Sequence, residues 1–119
     1  MPANQTPDLS ALSVADRRKS PRFRFMESVQ IRRSDGAVQQ GMSIEISEGG
    51  MSIATNETLR IGEMVELDPV IDGKAFATIR HKQGRIYGFE FHGLTPEHKD
   101  RIRIACRRFT PFFPRHLNI

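Results

Sequence analysis

Residues 38–53 read VQQGMSIEISEGGMSI, and the reading of this stretch decides the fold. Val38, Met42, Ile44 and Ile46 share one parity, and Met51 and Ile53 share one beyond the Glu48-Gly49-Gly50 break. A repeat of two puts alternate side chains on opposite faces of an extended chain. A glycine pair between two such runs is a turn signal. The stretch therefore predicts a strand, a tight turn and a returning strand, with the four apolar residues of the first run facing the core.

The same period continues on both sides. Phe25, Val29 and Ile31 precede the stretch; Val65 and Leu67, then Ala75, Ala77 and Ile79, then Tyr87, Phe89 and Phe91 follow it. Ser34-Asp35-Gly36, Asp72-Gly73 and Gln83-Gly84 supply turn signals between the runs. The fold class is mainly β: a six-stranded antiparallel β-barrel with a C-terminal α-helix, since closure removes exposed sheet edges. Pro69 lacks a ladder donor and is placed at a strand end or bulge. Beyond the strands the period changes. Thr95 is a helix cap, Pro96 suits the first turn and Glu97 the positive end of the helix dipole. Ile102, Ala105, Cys106 and Phe109 then follow a helical stripe that Pro111 stops. Cys106 on that stripe reads as a small core residue. Phe112 and Phe113 beyond it read as packing on the barrel or meeting a partner.

With 119 residues, 38% of them apolar, the chain supports one domain. Residues 1–15 read as a flexible N-terminal tail, 16–110 as the barrel with a basic arm and a helix, and 111–119 as a C-terminal tail. No apolar run approaches the roughly 18 residues of a membrane-spanning helix. MPANQTPDLSALSVAD lacks the features of a secretory signal. A single cysteine forms no internal disulfide, so a cytoplasmic location is expected. His81, His92, His98 and His116 are scattered without metal-ligand spacing, His81 and His92 falling at strand ends as surface or rim residues. No nucleophile motif or glycine-rich nucleotide loop is present. No enzymatic activity, no metal and no resident cofactor are expected.

Charge is unevenly placed. Residues 16–24, DRRKSPRFR, set Arg17, Arg18, Lys19, Arg22 and Arg24 against Asp16 alone, and residues 101–115 carry five arginines and no acid. Such poles attract anions. Pro21 disfavours a helix through Arg18 and Arg22, which leaves a loop able to wrap two guanidinium groups around a small polyanion. Arginine forks donate paired hydrogen bonds to phosphate and to the O6 and N7 acceptors of guanine. In Glu45-Ile46-Ser47-Glu48-Gly49-Gly50, alternation puts Glu45 and Ser47 opposite Ile46. A carboxylate there accepts from guanine N–H groups, and the serine hydroxyl donates or accepts. Gly49 and Gly50 permit a turn with positive φ and let a ligand approach the backbone closely.

Taken together, the two segments resemble the PilZ family, whose signature is RxxxR before the first strand and (D/N)xSxxG some 20 to 30 residues later. Arg18 and Arg22 match the first motif, Ser47 and Gly50 the second, and the ISEGGM and IYGFEF stretches are similar to family strands. Glu45 stands where the family usually has Asp or Asn. The resemblance covers residues 17–109. It implies binding of cyclic di-GMP, a bacterial second messenger, through Arg17, Arg18, Arg22, Glu45, Ser47, Gly49 and Gly50. It further implies a basic arm that is mobile when free, docks on the ligand, and signals to a protein partner. Two other readings are carried forward: a degenerate PilZ adaptor that acts by protein contacts without ligand, and a nucleic-acid-binding barrel using Arg101, Arg103, Arg107 and Arg108. The second is disfavoured by the absence of Trp and the single Tyr, which leave few stacking aromatics.

Overall fold

The computed structural model describes residues 22–108. Arg17, Arg18, Phe109 and the two expected tails lie outside the described residues. The elements are β1 (Phe23–Arg24), β2 (Ser28–Arg32), β3 (Val38–Ile46), β4 (Gly50–Ala54), β5 (Met64–Val70), β6 (Gly73–Gln83), β7 (Ile86–His92) and α1 (Pro96–Cys106). Six strands close in the order β3-β2-β5-β6-β7-β4, with β4 pairing back to β3, and every pairing is antiparallel. The two-residue β1 continues along the β2 side of β3, beyond the end of β2. Closure leaves the six-stranded ring without a long open edge.

The core follows most of the period-two reading. Val29, Ile31, Ile46, Met51, Ile53, Val65, Leu67, Ala77, Ile79 and Tyr87 are buried to within about 2% exposure, with Phe25, Ala75, Phe89 and Phe91 close behind. Burying each large aliphatic is worth about 1.5–3 kcal/mol, against about 0–1 kcal/mol for an exposed ion pair. Apolar burial therefore holds the barrel, and the charge pattern decorates it. Tyr87 also pins the β4–β5 connection, its hydroxyl accepting from Leu59 N–H at 3.0 Å.

The first half of β3 departs from expectation. Val38 and Met42 are each 44% exposed on the outer face, and Ile44 is half-buried. Gly41 and Ser43 face inward instead, opposite Val29 and Ile53. A register shift between Ser43 and Glu45 reverses the parity, so that Ile46 returns to the core. The reason is spatial: a Cβ on Gly41 would collide with Ile53 Cγ2 and lie 3.4 Å from Ile31 Cδ1. Large aliphatics of neighbouring strands already fill that place. Ser43 spans the break between β1 and β2, its hydroxyl bonding the Phe25 carbonyl and accepting from Glu27 N–H at 2.8 Å.

Pro69 sits in a second shift of register, between Leu67 and Val70, as its missing donor requires. In the tight β5–β6 connection Ile71, not the following glycine, takes the positive φ of 66°. Helix α1 begins as read, Thr95 accepting from His98 N–H at 3.0 Å with Pro96 in the first turn. Its buried residues are His98, Ile102 and Cys106, while Ala105 is only half-buried. His98 replaces Ala105 on the stripe because its ring nitrogen reaches the Val70 carbonyl at 2.9 Å, fastening the helix to the β5–β6 turn.

Candidate functional site

The two segments singled out by sequence meet on the outer wall of the barrel. Arg24 stands opposite Glu45 in the β1–β3 pairing, and Glu45 opposite Ser52 in the β3–β4 pairing. The Arg22 guanidinium pairs with Glu45 Oε1, which also accepts from the Ser52 hydroxyl at 3.2 Å. The Glu45 side chain is 5% exposed and that of Arg22 18%. A carboxylate so enclosed needs such partners, because an unpaired buried charge is costly. The register shift in β3 turns Glu45 outward while Ile46 enters the core. Arg22 Nε is buried and has no hydrogen-bond partner among the described residues.

One residue beyond β3, Ser47 organises the turn. Its N–H donates to the Gly50 carbonyl at 2.9 Å, and its oxygen accepts from Gly49 N–H at 3.3 Å. Neither Gly49 nor Gly50 uses the positive φ that glycine permits; the positive-φ glycines are Gly36, Gly62, Gly84 and Gly93. Gly50 is required for a different reason. A Cβ there would run into the Phe89 carbonyl oxygen, so the position permits β4 and β7 to approach. Gly49 faces open space, and its carbonyl accepts from Phe91 N–H at 2.9 Å.

Glu48, at the tip of this turn, is forked by Arg103 of α1 at 2.9 and 3.0 Å. That hydrogen-bonded pairing holds the Glu48 carboxyl below the usual glutamate value. Arg103 also reaches Asp100 at 2.6 Å, and Arg101 reaches Asp72 at 2.8 Å. Two of the four helix arginines considered for nucleic acid thus already hold acidic partners. On the far side, Arg33 forks Glu63 at 3.0 and 2.7 Å and holds its carboxyl low.

Among the described residues the structure brings together Arg22 and Glu45, with Ser47, Gly49 and Gly50 in the adjoining turn. Arg17 and Arg18 lie outside the described residues. Ser52 was missed, and Arg103, considered only for nucleic acid, was not read as the partner of Glu48. Ser52 was findable, since it alternates with the inward Met51 and Ile53; nothing local marks Arg103, whose partner is 55 residues away. No group of three or more His, Cys, Asp or Glu side chains suited to a metal occurs among the described residues. No helix among them is long and apolar enough to cross a membrane.

The described domain is thus a closed antiparallel barrel with a C-terminal helix whose Ile102 and Cys106 join the core and an arginine–carboxylate pair on the outer wall. The PilZ domain family matches residues 16–108, and the chain belongs to that family. PilZ domains are binding and effector domains. Solved structures share the fold. The PilZ domain of YcgR from Escherichia coli, determined with c-di-GMP, has a TM-score of 0.59 at 17% identity, covering 77% of this chain and 92% of that one. The PilZ domain of CeSA from a cellulose-synthesizing bacterium gives 0.58 at 17% identity, covering 73% and 95%. The Bacillus subtilis inhibitor of motility MotI/DgrA gives 0.63 at 20% identity, covering 86% of this chain and 52% of that one. No curated protein matches the chain at a significant level.

Proposed function

We propose that the chain is a cyclic di-GMP receptor whose basic N-terminal arm closes on the ligand against the outer wall and signals to a protein partner. The observation that carries this reading is the ion pair between Arg22 and Glu45, which joins the last residue of the first motif to the first of the second. Both motifs lie within the stretch matched by the family. A guanidinium offers five donors in a planar fork, and Arg22 Nε is a donor not used by the protein among the described residues. In this reading Arg22, with Arg17 and Arg18 ahead of it, takes the two phosphates and the O6 and N7 edge of a guanine. Glu45 accepts from the guanine N–H groups. Ser47 holds the turn in which Gly49 leaves its backbone uncovered and Gly50 lets β4 lie close against β7. Neutralising the clustered cations removes their mutual repulsion and docks the arm, a switch driven by charge. Because the ligand is an intracellular dinucleotide, the reading places the domain in the cytoplasm.

The same ion pair favours a second reading. Arg22 and Glu45 neutralise one another without ligand, as an adaptor acting by protein contacts alone requires. Calorimetric titration of the full chain with cyclic di-GMP separates the two. Binding in the micromolar range or tighter is expected for the receptor; absence of heat at high protein concentration leaves the adaptor.

A further inference from the structure

Helix α1 is seated on the barrel by His98, Ile102 and Cys106. Successive helical residues turn by about 100°, so Ile104 lies about 200° round the axis from Ile102. It faces away from the barrel and is 50% exposed. Arg107 keeps helical backbone, with φ −64° and ψ −19°, and its N–H donates to the Ile104 carbonyl at 3.2 Å. The Arg108 N–H donates to the Ala105 carbonyl at 2.9 Å. The last turn thus carries both arginines, which stand three and four positions beyond Ile104 and share its face. Both are exposed.

These two arginines differ from the others on the helix. Arg101 holds Asp72, and Arg103 holds Glu48 and Asp100. Arg107 and Arg108 make no ion pair or side-chain hydrogen bond among the described residues. The helix dipole favours cations at this end, which accounts for arginine there but not for an outward isoleucine beside it. The composition beyond continues both features. From Ile104 to Ile119 the sequence holds three arginines and no acid. Phe109, Phe112, Phe113, Leu117 and Ile119 add large side chains without hydrogen-bonding atoms. Pro111 and Pro114 each lack a backbone donor, which disfavours the strand or helix by which a peptide enters a protein groove.

We propose that the last turn of α1, with residues 109–119 after it, is a docking surface for an anionic lipid bilayer. Cations beside apolar groups are the composition of a segment that lies among lipid headgroups. Anionic headgroups draw the arginines, and the apolar side chains enter the acyl boundary just beneath. A nucleic acid would use the arginines but gives the aliphatic groups no apolar phase to enter. The contact is peripheral, because a membrane-spanning helix needs about 20 apolar residues. None of these residues belongs to the Arg22–Glu45 site, and membrane docking stands independently of cyclic di-GMP.

The test is co-sedimentation of the full chain with vesicles of phosphatidylcholine alone and of phosphatidylcholine mixed with phosphatidylglycerol. Binding to the mixed vesicles, weakened by added salt, is expected, with little to the neutral ones. Each arginine near such a surface is worth about fivefold in partitioning, so the double variant Arg107→Gln/Arg108→Gln should bind about 25-fold more weakly. Ile104→Ser and the double variant Phe112→Ser/Phe113→Ser should weaken binding at unchanged charge. Arg32→Gln/Arg80→Gln removes the same charge from the barrel wall and should leave binding near that of the parent. Every variant is checked for an unchanged unfolding midpoint. Equal partitioning into neutral and mixed vesicles, no binding to either, or equal losses for the two arginine pairs overturns the assignment. Parent-like binding by both serine variants refutes the apolar contact. If the parent ignores vesicles yet binds single-stranded DNA through Arg107 and Arg108, the face is a nucleic-acid surface and lipid docking is refuted.

Discussion

Replacing Gly50 by alanine asks whether the β3–β4 turn needs glycine for backbone freedom or for space. The added Cβ would overlap the Phe89 carbonyl oxygen and lie 3.2 Å from its carbonyl carbon and 3.4 Å from Glu90 Cα. All three atoms belong to the backbone of β7, which is held on its other side by β6. No rotamer change relieves such an overlap, so the Gly50–Glu90 end of the ladder has to open. Overpacking costs about 1–3 kcal/mol, and a lost ladder hydrogen bond about 0.5–1.5 kcal/mol. Together they put the expected loss at about 2–4 kcal/mol. Gly49 is the internal control, with nothing within 4 Å of an added Cβ and no positive φ. Gly49→Ala is expected to be neutral or to stabilise by about 0.4–1 kcal/mol through the unfolded chain. Urea unfolding of the ligand-free protein, followed by circular dichroism, reads both variants, and the slope should stay constant while the midpoint moves. Equal losses for the two variants, or none for Gly50→Ala, would refute the steric account.

Arg22→Ala removes a charge-assisted contact worth about 1.5–3 kcal/mol, so cyclic di-GMP affinity should fall by about tenfold or more; calorimetry at parent-like affinity would remove the arm from the site. Glu45→Asp draws the carboxylate back by one methylene from Arg22 and is expected to free the guanidinium and tighten binding, and equal or weaker affinity would show that the ion pair does not compete with ligand. The folded-state carboxyls of Glu48 and Glu63 lie below the ordinary glutamate value of 4.5, each held there chiefly by hydrogen bonds from an arginine. Their stabilisation is complete above 4.5 and is lost as pH falls through the lowered folded values, so urea midpoints should drop on acidification and Glu63→Gln should flatten that drop. Burial pushes the Cys106 thiol up to about 11; a thiol reagent at neutral pH should label it only after unfolding, and rapid labelling of the native chain would show the helix to be loosely seated.

The sequence disclosed those parts of the fold governed by local alternation. Strands β2, β4, β5, β6 and β7 have their apolar residues where period two puts them, because one face of each is buried and no register shift comes between those residues. In β3 the apolar letters misled. Val38 and Met42 look like core, yet Gly41 and Ser43 take the inward places because Ile31 and Ile53 have already filled the space. A register shift is set by what lies across the ladder, which a single strand's letters do not contain. The site was legible in the same measure. Glu45, Ser47 and the glycine pair were readable as a turn with acceptors, but the reason for Gly50 lies in the β7 backbone, 39 residues along the chain.

The interruption between β1 and β2 determines where the barrel can open first. Phe23 and Arg24 pair with Ile46 and Glu45 of β3, Arg22 adds its ion pair to Glu45, and single backbone bonds from Phe25 N–H to the Ile44 carbonyl and from Ser43 N–H to the Glu27 carbonyl bridge the break before Ser28. Across the gap, the Ser43 hydroxyl supplies part of the bonding that the ladder would otherwise give. Local opening of so short a pairing costs much less than global unfolding, so β1 can part from β3 while the six-stranded ring stays closed.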